Sequence, residues 1–279
     1  SHLREAWNAA HPDAPFEAQD VTVTIPASFD PAARELTAEA ARAAGYGNIT
    51  LLEEPQAALY SWIQHSGGEW RKQVRKGDII LVVDVGGGTT DLSLIAVLER
   101  DGALELHRVA VGEHILLGGD NMDLALAHLA EQRLGGGERL SAARFSQLVQ
   151  RCRVAKEQLL APDAPERVTL TLLGGGSKLI GAARSVELTR AEVEALVVDG
   201  FLPAVEADAQ PQRRRAGIVE FGLPYPSDAA ITRHLAAFLA RQRDAVAGDA
   251  HELVGGPAAH GGVAVAQRVD DPLDAGLGA

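Results

Sequence analysis

Residues 79–91 read Ile-Ile-Leu-Val-Val-Asp-Val-Gly-Gly-Gly-Thr-Thr-Asp, and this stretch restricts the possible folds of the chain most tightly. A continuous run of apolar, largely β-branched residues is what a strand buried on both faces requires. The glycines then mark a tight reversal, and Leu92–Leu98 is a second apolar run on its far side. Glycine lets a backbone pass close to a ligand, and successive exposed N–H groups at such a turn form an anion-binding concavity. Asp84 ends the entering strand, where a carboxylate can hold a hydrated magnesium ion or orient a water. The Thr89 hydroxyl can bond a phosphate oxygen. Two further glycine triplets, at 135–137 and 174–176, lack the combination of an acid before and Thr-Thr-Asp after the turn, so the triplet alone is not the signal.

The rest of the chain alternates strand and helix patterns. Val21–Ile25 is a β-branched run closed by Pro26, which has no N–H for a ladder. Asp30-Pro31 is a helix start for an alanine-rich amphipathic stretch that ends before Gly45 and Gly47. Ile49–Leu52 is a short strand, and Glu53-Glu54-Pro55 leads into a helix to about Gln64. Ser66–Gly77 is polar and aperiodic and reads as a surface connection. After Leu98 the pattern reverses at Asp101-Gly102 into a third strand, Leu104–Val111, making a meander. Gly118-Gly119-Asp120 opens a helix to about Arg133, and Gly135–Gly137 is a linker to a second helix, Ser141–Leu160, stopped by Pro162. A hairpin of Val168–Leu173 with Lys178–Ile180, a helix over Thr189–Val198, a polar connection over Gln210–Arg215 and a helix over Ser227–Arg243 follow. Beyond Gly248 the Gly- and Ala-rich composition predicts weak order. The rhythm is α/β.

Composition removes several classes of function. With 26 Lys and Arg against 38 Asp and Glu the net charge is −12, which opposes a nucleic-acid partner. Arg213–Arg215 therefore reads as a solvated connection. The single Cys152 excludes an internal disulfide and a cysteine-built zinc site, and it suggests the reducing cytoplasm. In its apolar and basic helix it reads as a packed thiol rather than a nucleophile. The longest apolar run, Ile79–Val83, is far short of the roughly 20 residues that span a bilayer, so no membrane partner is expected. Histidines are scattered without metal-ligand spacing, His107 and His114 reading as surface or turn residues, and no Gly-x-Ser-x-Gly elbow is present.

Val82–Asp91 resembles the second phosphate-binding loop of the 70-kDa heat-shock chaperones, within the superfamily of actin, sugar kinases and chaperone ATPases. Val23–Phe29 followed by Arg34 is similar to the family's strand and helix start, whose proline and arginine relay nucleotide state. Leu51–Ala58 resembles its first connecting motif, and Leu117–Asp123 its Gly-Gly-acid turn near ribose and phosphates. Cys152–Glu157 lies where the family has the helix that grips adenine. Order and spacing agree from Val21 to about Val198.

The resemblance implies an actin-like (ribonuclease H-like) α/β ATPase fold: part of lobe I, and most of lobe II with a small inserted α+β subdomain. The expected division is 1–78 as the lobe I remnant, 79–134 as the first part of the lobe II base, and 135–199 as its upper subdomain. Residues 200–279 would be the return helix and a weakly ordered C-terminus. ATP or ADP with magnesium are the implied cofactors. Asp84 and Glu54 would hold the metal through waters and, with Thr89, serve catalysis. Gly86, Gly87, Gly88, Thr89, Asp91, Gly118, Gly119, Asp120, Lys156 and Glu157 would bind nucleotide, with Gly255 and Gly256 as the remnant of the last motif. Pro26 and Arg34 would signal between domains, and unfolded client proteins and co-chaperones would be partners through the parent protein.

The sequence also departs from the family. Its first phosphate loop, an Asp-x-Gly-Thr turn, and the lysine between that loop and the Val21 strand are not found in these 279 residues. On the adenine helix the acid and base are exchanged, as Arg153 and Glu157. The first residue is Ser1, Ser1-His2 has the form of a tag-cleavage scar, and the lone methionine is Met122, so a fragment is expected, alone inactive in ATP hydrolysis. An incomplete lobe I would leave an edge such as Val21–Ile25 open to self-association. The alternatives are a sugar kinase or polyphosphate phosphatase of the same superfamily, or a non-catalytic partner-binding module with the same fold.

Overall fold

The computed structural model describes residues 2–134, 139–172, 183–212, 228–254 and 263–268. The chain forms two compact units, one from the described parts of Ser1–Asp84, Asp91–His114 and Gln242–Ala279, the other from those of Val85–Thr90 and Ile115–Arg241.

The first unit begins with α1 (His2–Ala10), in which Trp7 stacks on His11 and meets Phe16 edge-on. β1 (Asp20–Ile25) and β2 (Asn48–Glu53) pair in parallel, Val21 opposite Ile49 and Ile25 opposite Glu53. Between them runs α2 (Pro31–Ala43). Asp30 caps it, its carboxylate accepting from Ala33 N at 2.8 Å, and Gly45 ends it at φ 88°, a conformation that favours glycine. α3 (Glu54–His65) and the short α4 (Trp70–Gln73) follow.

A four-stranded sheet dominates this unit, in the order β5 (Ala103–Val111), β4 (Thr90–Arg100), β3 (Ile79–Val85) and β8 (Val263–Arg268). The expected meander is present. Its β4–β5 turn places both Asp101 (φ 52°) and Gly102 (φ 79°) in the left-handed region, as a two-residue hairpin of matching twist requires. The first nine residues of β4 are buried. Ile80, Val82, Ile95 and Val97 pack with Ala58 and Leu59 of α3 and with Trp70 and Val74.

One expectation needs correction in this unit. Ser66–Gly77 is more than a surface connection, because Trp70 is 5% exposed and Val74 2%, with Trp70 edge-on to Trp62. Burying a tryptophan contributes on the order of 3 kcal/mol, enough to draw a polar segment onto the sheet. Beyond Gly248 the described residues are the end of a helix that reaches Val254 and β8, parallel to β3 with Val263 opposite Ile79.

The second unit contains α5 (Gly119–Leu134) and α6 (Ala142–Leu160) against the antiparallel pair β6 (Arg167–Leu172) and β7 (Arg184–Thr189). Leu126, Ala127, Ala130, Leu148, Cys152, Ala155, Leu159 and Leu188 are completely buried. The described partner of β6 is Arg184–Thr189, whereas the expected partner, Lys178–Ile180, lies outside the described residues, as do Gly135–Gly137 and Arg213–Arg215. The helix expected over Thr189–Val198 starts as α7 (Arg190–Val193) with a Thr189–Glu192 capping box. It then widens to a π-turn over Glu194–Val198 before α8 (Asp199–Phe201). α9 (Ile231–Val254) starts in this unit, with Asp228 accepting from Arg233 and from the Gln212 and Ala230 amides.

Candidate functional site

The glycine turn and the Gly118-Gly119 turn, 30 residues apart in sequence, form one object in the second unit. The Gly86 N–H donates to Thr89 O at 2.8 Å, closing the reversal. Thr90 then ties down the incoming segment: its N–H donates to Ile115 O (2.8 Å), it accepts from Ile115 N (3.2 Å), and its hydroxyl donates to Leu117 O (2.8 Å). That brings Gly118 against the loop. Gly119 N donates to Gly86 O at 2.9 Å and Asp120 N to Gly87 O at 2.7 Å. A Cβ at Gly118 would lie 2.4 Å from Gly86 O and 2.5 Å from Gly87 O, so only glycine fits.

Two side chains brace this turn. Asn121 accepts from Gly118 N at 2.9 Å through its amide oxygen, and Lys156 of α6 places Nζ 3.3 Å from Gly119 O and 2.8 Å from Asp123 Oδ1. Burial pushes the Asp123 carboxyl above the ordinary carboxylate range, and Lys156 opposes that shift. Cys152 is buried on the same helix. Its thiol is pushed up to about 12, first by burial and then by the Asp123 charge, so it stays a packed thiol as expected.

The predicted residues Gly86, Gly87, Gly88, Thr89, Gly118, Gly119, Asp120 and Lys156 are thus gathered in one unit. Their chemistry suits a phosphate. Among the described residues the amides of Gly87, Gly88 and Thr89 donate to no backbone carbonyl. Gly87 and Gly88 are exposed, and a Cβ at Gly88 would meet nothing within 4 Å. Among the described residues no group of three His, Cys, Asp or Glu side chains could cage a metal. Magnesium fits such a donor set through phosphate oxygens and its own waters. Glu157 pairs with Arg153 on the exposed face of α6 at 3.2 Å, so the exchanged acid and base still make an i,i+4 pair. Gly255 and Gly256 lie outside the described residues.

The remaining predicted residues belong to the first unit. Asp84 is the second-last residue of β3 and Glu54 the first of α3, both half-buried. Pro26 follows β1. Arg34, on α2, donates to Glu53 Oε1 at 3.0 Å, while Arg108 of β5 engages Glu53 Oε2, so one nearly buried carboxylate joins α2, β2 and β5. Asp91 is buried, and His114 meets it through Nδ1 at 3.0 Å. His114, expected as a surface or turn residue, lies in the connection between β5 and α5 with its side chain 29% exposed. The sequence showed Glu53 only as a neighbour of Glu54 and His114 only as a surface or turn residue, and Arg108 not at all, because these pairings span 19, 23 and 55 positions.

A family model described as Hsp70 protein matches residues 7–207. A chaperone protein HscA homolog of Acidithiobacillus ferrooxidans is 36% identical over 191 residues, covering 67% of this chain and 28% of the relative. The chaperone protein HscA of Proteus mirabilis is 34% identical over 181 residues, 65% of this chain and 26% of the relative. A homolog of Burkholderia lata is 36% identical over 192 residues, with 67% and 28% covered. The chain spans between a quarter and a third of the length of these curated relatives. With the family model covering most of its length, the chain belongs to the Hsp70 family.

Proposed function

We propose that these residues form part of the nucleotide-binding domain of a chaperone ATPase. The observation that carries this reading is the backbone clamp between Gly86–Thr90 and Gly118–Asp120, which leaves the Gly87, Gly88 and Thr89 amides without a backbone acceptor among the described residues. The amides of Gly87, Gly88 and Thr89, with the Thr89 hydroxyl, hold the terminal phosphates. Lys156 fixes the Gly119 turn from behind, and Glu157 lies on the helix assigned to the base. Asp84 and Glu54 orient waters, and Pro26 and Arg34 transmit nucleotide state to the rest of the parent protein, whose clients are unfolded proteins handled with co-chaperones. Bound magnesium would offset phosphate charge. Residues 1–78 are assigned to lobe I, 79–134 and 200–279 to the base of lobe II, and 135–199 to its upper subdomain. The setting is the cytoplasm. Among the described residues no helix is long and apolar enough to cross a membrane.

Phosphoryl transfer needs charge stabilisation from both sides of the γ-phosphate, and these 279 residues carry one of the two expected loops. They are expected to bind magnesium-ATP with negligible turnover. The test is a melting curve with and without magnesium-ADP beside a phosphate-release assay. A raised melting temperature with turnover near background supports the reading. Brisk turnover abolished by Asp84→Ala would refute the one-sided account, and no thermal shift would favour a partner-binding module.

β1 has no strand partner but β2 among the described residues. An open parallel edge of this kind invites association of copies, read by light scattering against concentration. A clean monomer at high concentration contradicts it.

A further inference from the structure

Asp91 follows Thr90 directly at the end of the glycine turn, and its side chain is 4% exposed. A carboxyl group so far from water needs a hydrogen-bonding partner within the protein. His114 provides it, with Nδ1 at 3.0 Å from Asp91 Oδ1. A carboxylate can only accept, so at this distance the contact pairs it with an Nδ1–H donor. The Ser28 hydroxyl lies 3.4 Å from the same nitrogen. Ser28 sits in the turn after β1 that Phe29 N closes onto Pro26 O at 3.2 Å. One imidazole therefore touches both the residue following the glycine loop and the Pro26–Phe29 turn, 86 positions away from it in sequence.

We propose that His114 is a positioning residue: its Nδ1–H fixes Asp91 and joins it to the Pro26–Phe29 turn, so that occupancy of the glycine loop and order in that turn depend on each other. The link between Asp91, His114 and Ser28 stands on the geometry alone. Its coupling to a ligand rests on the phosphate-loop reading above.

The test uses the full chain and two variants. H114L removes the donor, while H114N keeps an N–H close to the position of Nδ1. Ring-nitrogen NMR of the ligand-free chain should find His114 protonated on Nδ1. In H114L, exchange of the Phe29 amide should quicken about tenfold and the magnesium-ADP dissociation constant should rise about tenfold, the worth of one hydrogen bond to a charged group. In H114N both should stay within about twofold of the parent chain. A proton on Nε2 alone, equal losses in the two variants, or exchange quickened uniformly from β1 to β5 in H114L would each overturn the proposal. If the parent chain binds no magnesium-ADP, the phosphate-loop reading fails, while the ring signal and the Phe29 exchange still decide the link.

Discussion

Gly86–Thr90 meets Gly118–Asp120 through main-chain groups, whereas Glu53 with Arg34 and Arg108, and Asp91 with His114, meet through side chains. Both arrangements gather charge-handling groups, but they respond to substitution differently. A backbone cradle is set by carbonyls and amides that every residue carries, so what matters is the absence of side chains at the contact. A side-chain cluster depends on particular donors and acceptors, and a substitute with similar geometry can restore it. The first is intolerant of additions, the second of deletions.

The largest effect should come from adding one methyl group to the cradle. Gly118→Ala forces a carbon against Gly86 O and Gly87 O, and we expect a loss of about 3 kcal/mol with loss of nucleotide binding. Gly88→Ala, where a Cβ meets nothing within 4 Å, should stay within about 0.5 kcal/mol in denaturant unfolding. Equal losses in the two would dissolve the contrast.

Next is Lys156→Met, which leaves the buried Asp123 carboxylate without its cation, for about 2 kcal/mol at neutral pH. Folded Asp123 keeps its proton to higher pH than the ordinary 3.8, so the folded state binds more protons and stability falls as pH rises through that range. Without Lys156 the fall should extend to higher pH, measured as unfolding free energy between acid and neutral solution. A parallel pH profile in the two chains would show that Lys156 does not face Asp123 in solution.

For the side-chain cluster, Glu53→Ala strands two guanidinium groups that are about a third exposed, and should cost about 1.5 kcal/mol. Arg108→Ala should lessen the further cost of Glu53→Ala in a double-mutant cycle, and strict additivity would deny the bridge. The smallest effect is expected on the surface of α6. Exchanging the pair, as Arg153→Glu with Glu157→Arg, keeps an i,i+4 contact and should change stability by about 0.3 kcal/mol or less. Tighter nucleotide binding in that exchanged chain would support the base-side assignment of this helix, and no change would remove Glu157 from the site.

The same division explains what could be read from the sequence. The strand–turn–strand over Ile79–Leu98, the Asp30-Pro31 helix start and the Asp101-Gly102 hairpin were legible because local backbone demands leave local residue signatures. Gly118 was legible as part of a motif, but its reason, contact with Gly86 and Gly87, was not. Trp70 escaped because a four-residue helix has no periodicity, and β8 because Val-Ala-Val-Ala looks like its Gly- and Ala-rich surroundings until it pairs with β3. Glu53 was read only as a neighbour of Glu54, since no spacing rule points from it to Arg34 or Arg108. His114 offered one weak hint, a lone histidine between an apolar strand and a Gly-Gly turn.

If main-chain groups of the cradle hold phosphate, a methyl group that disrupts the cradle abolishes nucleotide binding. Titration calorimetry of magnesium-ADP into the parent chain and into Gly118→Ala, at a temperature where circular dichroism shows both folded, tests it most directly. Saturable heat is expected in the parent chain and none in Gly118→Ala. Equal binding by both, or no heat in either, would contradict it.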